Sequence, residues 1–223
     1  MISIIVPVLN EASTIEGNLI KLSKLKGHYE IIVVDGGSKD SSVEIASKYC
    51  KVIKSKKGRA NQMNAGAKIS SGDILWFVHS DSKVSENSIE AIEKACISRA
   101  GGCFSLYFYD YKSFNAKWLA FTSNMRAKYL NLIFGDQGIF IKKEIFMELN
   151  GFPIQAIMED WDFSKKFTEA YPVEVLKVKI GTSGRRFKEG GFFKTLLKMH
   201  YIKWKHIRGT SPDELIKLYK EIR

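Results

Sequence analysis

Proline is scarce in this chain, four in 223 residues, and cysteine is scarcer, three with no Cys-x-x-Cys pair among them. Few prolines beside 45% hydrophobic residues exclude a disordered chain and provide for a sizeable core. Cys50, Cys96 and Cys103 form an odd set, read as buried thiols in a reducing compartment rather than as a disulfide framework. No apolar stretch approaches the roughly 20 residues of a membrane span. No basic segment stands ahead of Met1-Ile2-Ser3-Ile4-Ile5-Val6-Pro7, so no signal peptide is expected and the expected location is the cytoplasm. Neither G-x-G-x-x-G nor G-x-x-x-x-G-K-[ST] occurs, which removes the signals for dinucleotide and P-loop phosphate binding. Repeats, low-complexity tracts and linkers are missing too, so the expectation is one domain, residues 1–180, with a helical appendage, residues 181–223.

What is present is an uneven charge. The net +11 is concentrated late: residues 177–223 hold 13 Lys and Arg against 4 Asp and Glu. That asymmetry points to an anionic partner for the C-terminal region.

Short β-branched and aromatic runs alternate with helical patterns. Strands are expected over 2–8, 30–35, 51–54 and 73–79, and helices over 12–26, 40–48, 59–69 and 85–99. The second half is less regular: strands over 102–109, 138–142 and 173–180, helices over 116–131, 143–149, 159–169 and 191–207, and a last helix from the Ser211-Pro212-Asp213-Glu214 start signal. Strand–helix alternation defines an α/β fold built on a mostly parallel sheet with flanking helices.

Three acidic signals follow apolar runs: Asp35 after Ile31-Ile32-Val33-Val34, His79-Ser80-Asp81 after Ile74–Val78, and Glu159-Asp160-Trp161-Asp162 at a helix start. In open α/β sheets ligands sit at the carboxyl ends of the strands, so these carboxylates are expected around one ligand. Each has a plainer reading as a cap or turn residue. As a set they suit a divalent cation, Mg2+ or Mn2+, and a phosphorylated substrate. The imidazole of His79 tilts that choice toward Mn2+. Arg59, Asn61, Gln62 and Asn64 open a helix and are expected to reach a phosphate or ribose from one face. Clustered carboxylates near Asp160 raise proton affinity, which suits a general base.

These segments together resemble an inverting family-2 glycosyltransferase with the GT-A fold. The likeness rests on Val6-Pro7-Val8-Leu9-Asn10-Glu11, Val33-Val34-Asp35-Gly36-Gly37-Ser38-Lys39-Asp40, Gly58-Arg59-Ala60-Asn61-Gln62-Met63-Asn64, His79-Ser80-Asp81, Gly135-Asp136-Gln137-Gly138 and Met158-Glu159-Asp160, in the family's order. Gly181-Thr182-Ser183-Gly184-Arg185-Arg186-Phe187 resembles a small stand-alone subgroup associated with radical-SAM/selenodomain genes. The resemblance implies that Pro7, Asn10, Glu11, Asp35, Gly36, Arg59, Asn64, His79, Ser80 and Asp81 surround a nucleotide-sugar donor. Asp81 would bind the metal and His79 stands where the family's motif has its first Asp. Asp160, with Glu159 beside it, matches the catalytic base, and Gln137, Gly138, Trp161 and Arg185 are expected on the acceptor side.

The reaction implied is transfer of a sugar from its nucleotide to an acceptor hydroxyl, with inversion and metal assistance. The acceptor is not named by the sequence; a lipid-linked one is a candidate. The alternatives are a non-catalytic nucleotide-sugar-binding relative and a sugar-nucleotidyltransferase, the latter lacking its glycine-rich basic loop here. No nucleic-acid partner is expected. In the tail, Phe192, Phe193, Leu196, Leu197, Tyr201 and Trp204 interleave with Lys194, Lys198, Lys203, Lys205 and Arg208. Such a helix either packs its apolar side on the domain or lies on anionic lipid at the inner face of the cell membrane. His200 on the same helix is a further candidate metal ligand.

Overall fold

A computed structural model describes residues 1–220 of the chain, and the last three residues of the expected tail lie outside them. The elements follow in the order β1 (Ile2–Val8), α1 (Ile15–Leu22), β2 (Tyr29–Asp35), α2 (Ser42–Ala46), β3 (Lys51–Lys54), α3 (Arg59–Ile69), β4 (Ile74–Phe77) and α4 (Ser88–Ser98). Then come β5 (Gly101–Phe108), α5 (Phe114–Tyr129), a 3-10 turn (Gly135–Gln137), β6 (Phe140–Lys142), α6 (Lys143–Glu148), α7 (Glu159–Ala170), β7 (Val173–Thr182), α8 (Arg185–Gly190), α9 (Phe192–Ile207) and α10 (Pro212–Lys220).

Seven strands form one sheet in the order β3-β2-β1-β4-β6-β5-β7. Alternate residues of each central strand feed opposite faces, as a two-residue repeat dictates. Ile4, Val6, Val33 and Trp76 pack under Leu19, Leu22, Ile89 and Ile92, whereas Ile5, Ile32, Val34 and Phe77 pack under Ala60, Met63, Ala67 and Phe146. Both faces are therefore covered, which is why these strands read as unbroken apolar runs. Trp76 stacks on Phe104 at 5.1 Å between centroids, worth about 0.5–1.5 kcal/mol beyond its burial.

Register sets where the site lies. In the parallel β1–β2 pair Val8 stands opposite Asp35, and in β1–β4 Ile5 stands opposite Phe77. Pro7, Asp35 and the residues after Phe77 thus share the carboxyl edge of the sheet. The expected parallel sheet is broken by β6, which runs antiparallel to β4 and β5. An antiparallel strand begins where its neighbours end, so the turn preceding β6 arrives at that same edge.

Several boundaries move from expectation. The first helix starts at Ile15 rather than 12, because the Glu11 carbonyl accepts the Thr14 and Ile15 N–H groups and begins the helix there. β7 runs on to Thr182 because it keeps pairing with β5, Phe108 opposite Thr182. A helix absent from the sequence reading, α8, follows it. Beyond the sheet, α9 and α10 close over the start of α7 through a small cluster of Met158, Ile202 and Leu215.

Candidate functional site at the carboxyl edge of the sheet

At this edge Asp35 is 1% exposed and accepts hydrogen bonds from the Gly37 and Ser38 amides at 3.0 Å. Its loop is locked to the one after β1: the Asn10 carboxamide oxygen accepts from the Lys39 amide at 2.8 Å, and the Glu11 amide donates to Ser42 Oγ at 2.7 Å. Asn10 takes a left-handed backbone, φ 56, tolerated best by glycine and asparagine. Pro7 and Gly36 flank this lip.

The helix face expected to reach phosphate contributes only Arg59. Gln62 is buried and donates to the carbonyls of Val8 and Val34, both at 2.8 Å, so it ties α3 to the sheet edge. Asn61 donates to the Lys57 carbonyl at 3.0 Å. Asn64, expected at the donor, has its amide consumed by Phe152: it donates to the carbonyl at 2.8 Å and accepts from the amide at 2.9 Å. Their polar ends are spent on backbone, which a helical-face pattern does not reveal.

Past β4 the chain turns at His79-Ser80-Asp81, held by Asn18, whose Nδ2 donates to the carbonyls of His79 and Ser80 at 3.0 and 2.6 Å. His79 Nε2 is buried without a hydrogen-bond partner. Burial, and then the nearby Arg59 charge, hold its pKa down at about 3, so the imidazole is neutral and keeps a lone pair. Asp81 follows within two residues, at most about 7 Å of chain. With burial, its charge raises the Tyr109 phenol. Lys83 and Gly181 exchange two backbone hydrogen bonds, 2.9 and 2.8 Å, which brings Ser183 and the exposed Arg185 to the same flank.

The third acidic signal meets the second at Gly135. Asp160 Oδ2 accepts from the Gly135 amide at 2.8 Å, and a Cβ on that glycine would lie 3.2 Å from His79 Nε2 and 3.3 Å from Asp160 Oδ2. The strand-end imidazole and the helix-start carboxylate therefore converge on Gly135. A buried, left-handed Met158, φ 68, makes the turn that aims α7 there, a conformation that costs on the order of 1–3 kcal/mol in a non-glycine residue.

Glu159 points elsewhere. Its buried carboxylate lies 3.4 Å from Arg59 Nε; burial and the Asp160 charge push its pKa up while Arg59 pulls it down. The surrounding protein opposes charge on Arg59, whose side chain is 44% exposed, but Glu159 and Asp160 outweigh it and the guanidinium stays protonated. Glu159 thus forms an ion pair with Arg59. Gln137 and Gly138, expected to line the acceptor side, are both buried. Gln137 is 0% exposed, its Oε1 accepting from Arg126 Nη2 at 2.9 Å, and Gly138 holds a φ of 62 with Ile180 only 2.7 Å from where a Cβ would stand.

Three side chains that the sequence did not single out complete the group. Asp136 has a buried Oδ1 with no partner, and burial raises its pKa against the pull of Arg126. Arg126 of α5 and Lys203 of α9 lie over the Phe134 ring at 4.0 and 5.0 Å. Burial and the Arg126 charge lower the Lys203 pKa to about 8. Only the Gly-Asp-Gln-Gly turn gave a local signal for Asp136. Arg126 and Lys203 look in sequence like any cation on an aromatic helix. Phe134 also packs on Trp161 at 5.6 Å, and Trp161 on His206 at 6.3 Å, whose Nε2 is 2.7 Å from Asp162 Oδ1.

His200 is exposed. Among the described residues no three His, Cys, Asp or Glu side chains form a ready metal cage. A cleft of about 670 Å3 lies between the end of α5, α7 and the end of α9, lined by Leu130, Leu132, Trp161, Asp162, His206 and Ile207 among others. Another, of about 530 Å3 around Tyr29 and Tyr49, contains none of the residues above.

A mixed sheet with acidic residues gathered at its carboxyl edge is the GT-A arrangement of glycosyltransferases, and comparison with known proteins bears this out. The sequence model of glycosyl transferase family 2 matches residues 3–149, and the chain belongs to that family. The matched span stops short of Glu159 and Asp160. A "PGL/p-HBAD biosynthesis glycosyltransferase" of Mycobacterium bovis is 26% identical over 176 residues, 74% of this chain and 68% of that protein. Among solved structures, mannosyltransferase PcManGT from Pyrobaculum calidifontis, in complex with GDP-Man and Mn2+, superposes with a TM-score of 0.68 at 17% identity, covering 99% of this chain and 69% of that one. Residues 1–349 of S. aureus TarS with UDP-GlcNAc give 0.64 at 19% identity, covering 82% of this chain and 58% of that one, so the match spans little over half of that protein fragment.

Proposed function

We propose that the chain transfers a glycosyl unit from a nucleotide-sugar donor to an acceptor hydroxyl in a single in-line displacement, with inversion at the anomeric carbon. The observation that carries this reading is the convergence of His79 and Asp160 on Gly135 at the carboxyl edge of the sheet. Asp160 takes the proton of the acceptor hydroxyl as its oxygen attacks the anomeric carbon from the face opposite the diphosphate. The C–O bond to the diphosphate breaks as the new one forms, and nucleoside diphosphate leaves. The lip formed by Pro7, Asn10, Glu11, Asp35 and Gly36 receives the nucleoside. Arg59, oriented by Glu159, meets the diphosphate. Arg126, Lys203 and Asp136 border the acceptor side, with Trp161 below them.

The donor set fits a divalent cation. The orphaned His79 nitrogen is neutral and the Asp81 carboxylate follows two residues on, while Mg2+ and Mn2+ take few protein ligands and fill the rest of their shell with phosphate oxygens and water. His79 and Asp81 would hold such an ion, which would supply Lewis-acid stabilisation of charge on the leaving diphosphate. The Mn2+ and GDP-Man bound to the PcManGT structure support this reading.

Nucleotide sugars incubated with the protein, Mn2+ and an alcohol acceptor are expected to release nucleoside diphosphate. The product's anomeric configuration, read by NMR coupling constants, is expected to be opposite to the donor's. A retained configuration rules out the single displacement. Release of nucleoside monophosphate points instead to nucleotidyl transfer. Asp81→Ala is expected to remove the Mn2+-dependent part of nucleoside diphosphate binding in calorimetry.

A further inference from the structure

Two helices on the acceptor side each bury very little of themselves. Of 16 residues in α5 only Ala116 and Ala127 are buried, and of 16 in α9 only Thr195 and Ile202. Both turn a stripe of large apolar side chains outward at three- and four-residue spacing: Phe114, Trp118, Phe121, Met125 and Tyr129 on α5, and Phe193, Leu197, Tyr201, Trp204 and Ile207 on α9. The helices meet where Trp118 packs edge-on against Phe192 at 6.5 Å, so the stripes belong to neighbouring elements. Apolar surface of this extent marks an interaction site.

Charge identifies the occupant. Neither helix contains an acidic residue, while α5 carries Lys117 and Lys128 and α9 carries Lys194, Lys198 and Lys205, besides Arg126 and Lys203, which are turned toward Phe134. Cations stand over exposed rings at the outer ends: Lys128 over Tyr129 at 5.2 Å, Lys205 over Tyr201 at 5.8 Å and Arg208 over Trp204 at 5.0 Å. Aromatic side chains with basic stems beside them suit the boundary between lipid headgroups and acyl chains. A second copy of the same face would bring like charges together. Among the described residues no helix is long and apolar enough to cross a bilayer, so attachment on this face is by lying on the surface.

We propose that α5 and α9 together form a docking surface for anionic lipid. The two stripes end at the cleft described above, whose rim includes the exposed Leu130 and Ile207 and whose floor includes Trp161, next in sequence to Asp160. The docked protein therefore opens that cleft at the lipid surface. Resting on the transferase reading of the site, this defines the acceptor as an alcohol held at a membrane. The lipid contact includes α5 as well as the basic tail, which sets this surface apart from a tail acting alone.

Flotation of the full chain with vesicles of phosphatidylcholine, with and without phosphatidylglycerol, tests the docking. Binding is expected to the anionic vesicles and to fall with added salt. The pair Phe114→Glu and Phe121→Glu on α5, and separately Leu197→Glu and Ile207→Glu on α9, are each expected to weaken it about tenfold or more. All four side chains are at least 61% exposed, so the melting temperature is expected to hold. No binding to anionic vesicles, equal binding to neutral ones, or indifference to the α5 pair overturns the proposal. So does a stable dimer that these variants dissociate. Calorimetry with GDP or UDP and Mn2+, run on the same samples, separates the two readings. Nucleotide binding without vesicle binding removes only the docking surface, and vesicle binding without nucleotide binding removes only the transferase.

Discussion

His79 Nε2 and Asp160 Oδ2, 81 residues apart in the chain, come close enough that a single methyl group on Gly135 would touch both, at 3.2 and 3.3 Å. Glycine is what lets both approach so closely. Gly135→Ala would put a carbon against them at distances tighter than comfortable packing, and one of the two side chains must retreat. A displacement on the order of 1 Å in a reacting group costs up to about 10²-fold in rate. The expected outcome is a lower kcat with a near-normal melting temperature, checked by turnover and thermal unfolding side by side. Full turnover in the alanine variant would contradict a reacting geometry built around Gly135.

Asp160→Asn and Glu159→Gln are expected to behave differently although the residues are neighbours. Loss of a general base costs about 10²–10⁴ in kcat, so Asp160→Asn should nearly stop transfer while nucleoside diphosphate affinity persists. Glu159 faces Arg59 at 3.4 Å, and Glu159→Gln is expected to raise the donor KM more than it lowers kcat. Steady-state kinetics on both variants give the comparison. A larger kcat loss for Glu159→Gln would exchange the roles.

Asn64 is committed to backbone in the structure, which predicts an effect on stability rather than on donor binding. Its amide exchanges two hydrogen bonds with the Phe152 backbone. Removing it leaves partly buried backbone groups unpaired, which costs about 1–3 kcal/mol. For a chain of this size that lowers the melting temperature by roughly 2–4 °C per kcal/mol. Asn64→Ala should therefore melt earlier and bind nucleotide normally. Weakened nucleotide binding at an unchanged melting temperature would return Asn64 to the donor site.

Lys203 gives the fold a pH dependence on the alkaline side. Burial, then the Arg126 charge, lower its pKa from 10.5 to about 8. Between those values the unfolded chain holds a proton that the native protein has released, so this group's contribution to stability rises with pH across that window. Lys203→Met lacks the increment. Denaturant unfolding at a series of pH values should show the parent gaining on the variant as pH climbs through that range, and parallel curves would refute the burial of this ammonium.

Much of the layout was legible in one dimension. Strand β3 and helix α3 begin and end where the patterns predict, and the acidic signals at Asp35, Asp81 and Asp160 stand out because each follows a buried strand or opens a helix. Polar groups on a helix face were not separable by pattern: Arg59, Asn61, Gln62 and Asn64 look alike in sequence, yet three of the four satisfy backbone groups. The Gly135–Gly138 turn was recognised, but its pairing was misplaced, since Asp136 enters the charged group while Gln137 and Gly138 turn into the core.

Local chemistry, then, fixed the α/β class and the residue types able to handle an ion, a phosphate and a proton, because those depend on spacing and on strand ends. The tertiary structure alone decided which of them meet. It did so through an antiparallel β6 that carries Gly135 and Asp136 to the edge where parallel strands finish. It did so again through α5 and α9, which bring Arg126 and Lys203 to one aromatic ring from positions 77 residues apart. Such meetings follow from chain crossings and packing between distant segments, and no local periodicity encodes them.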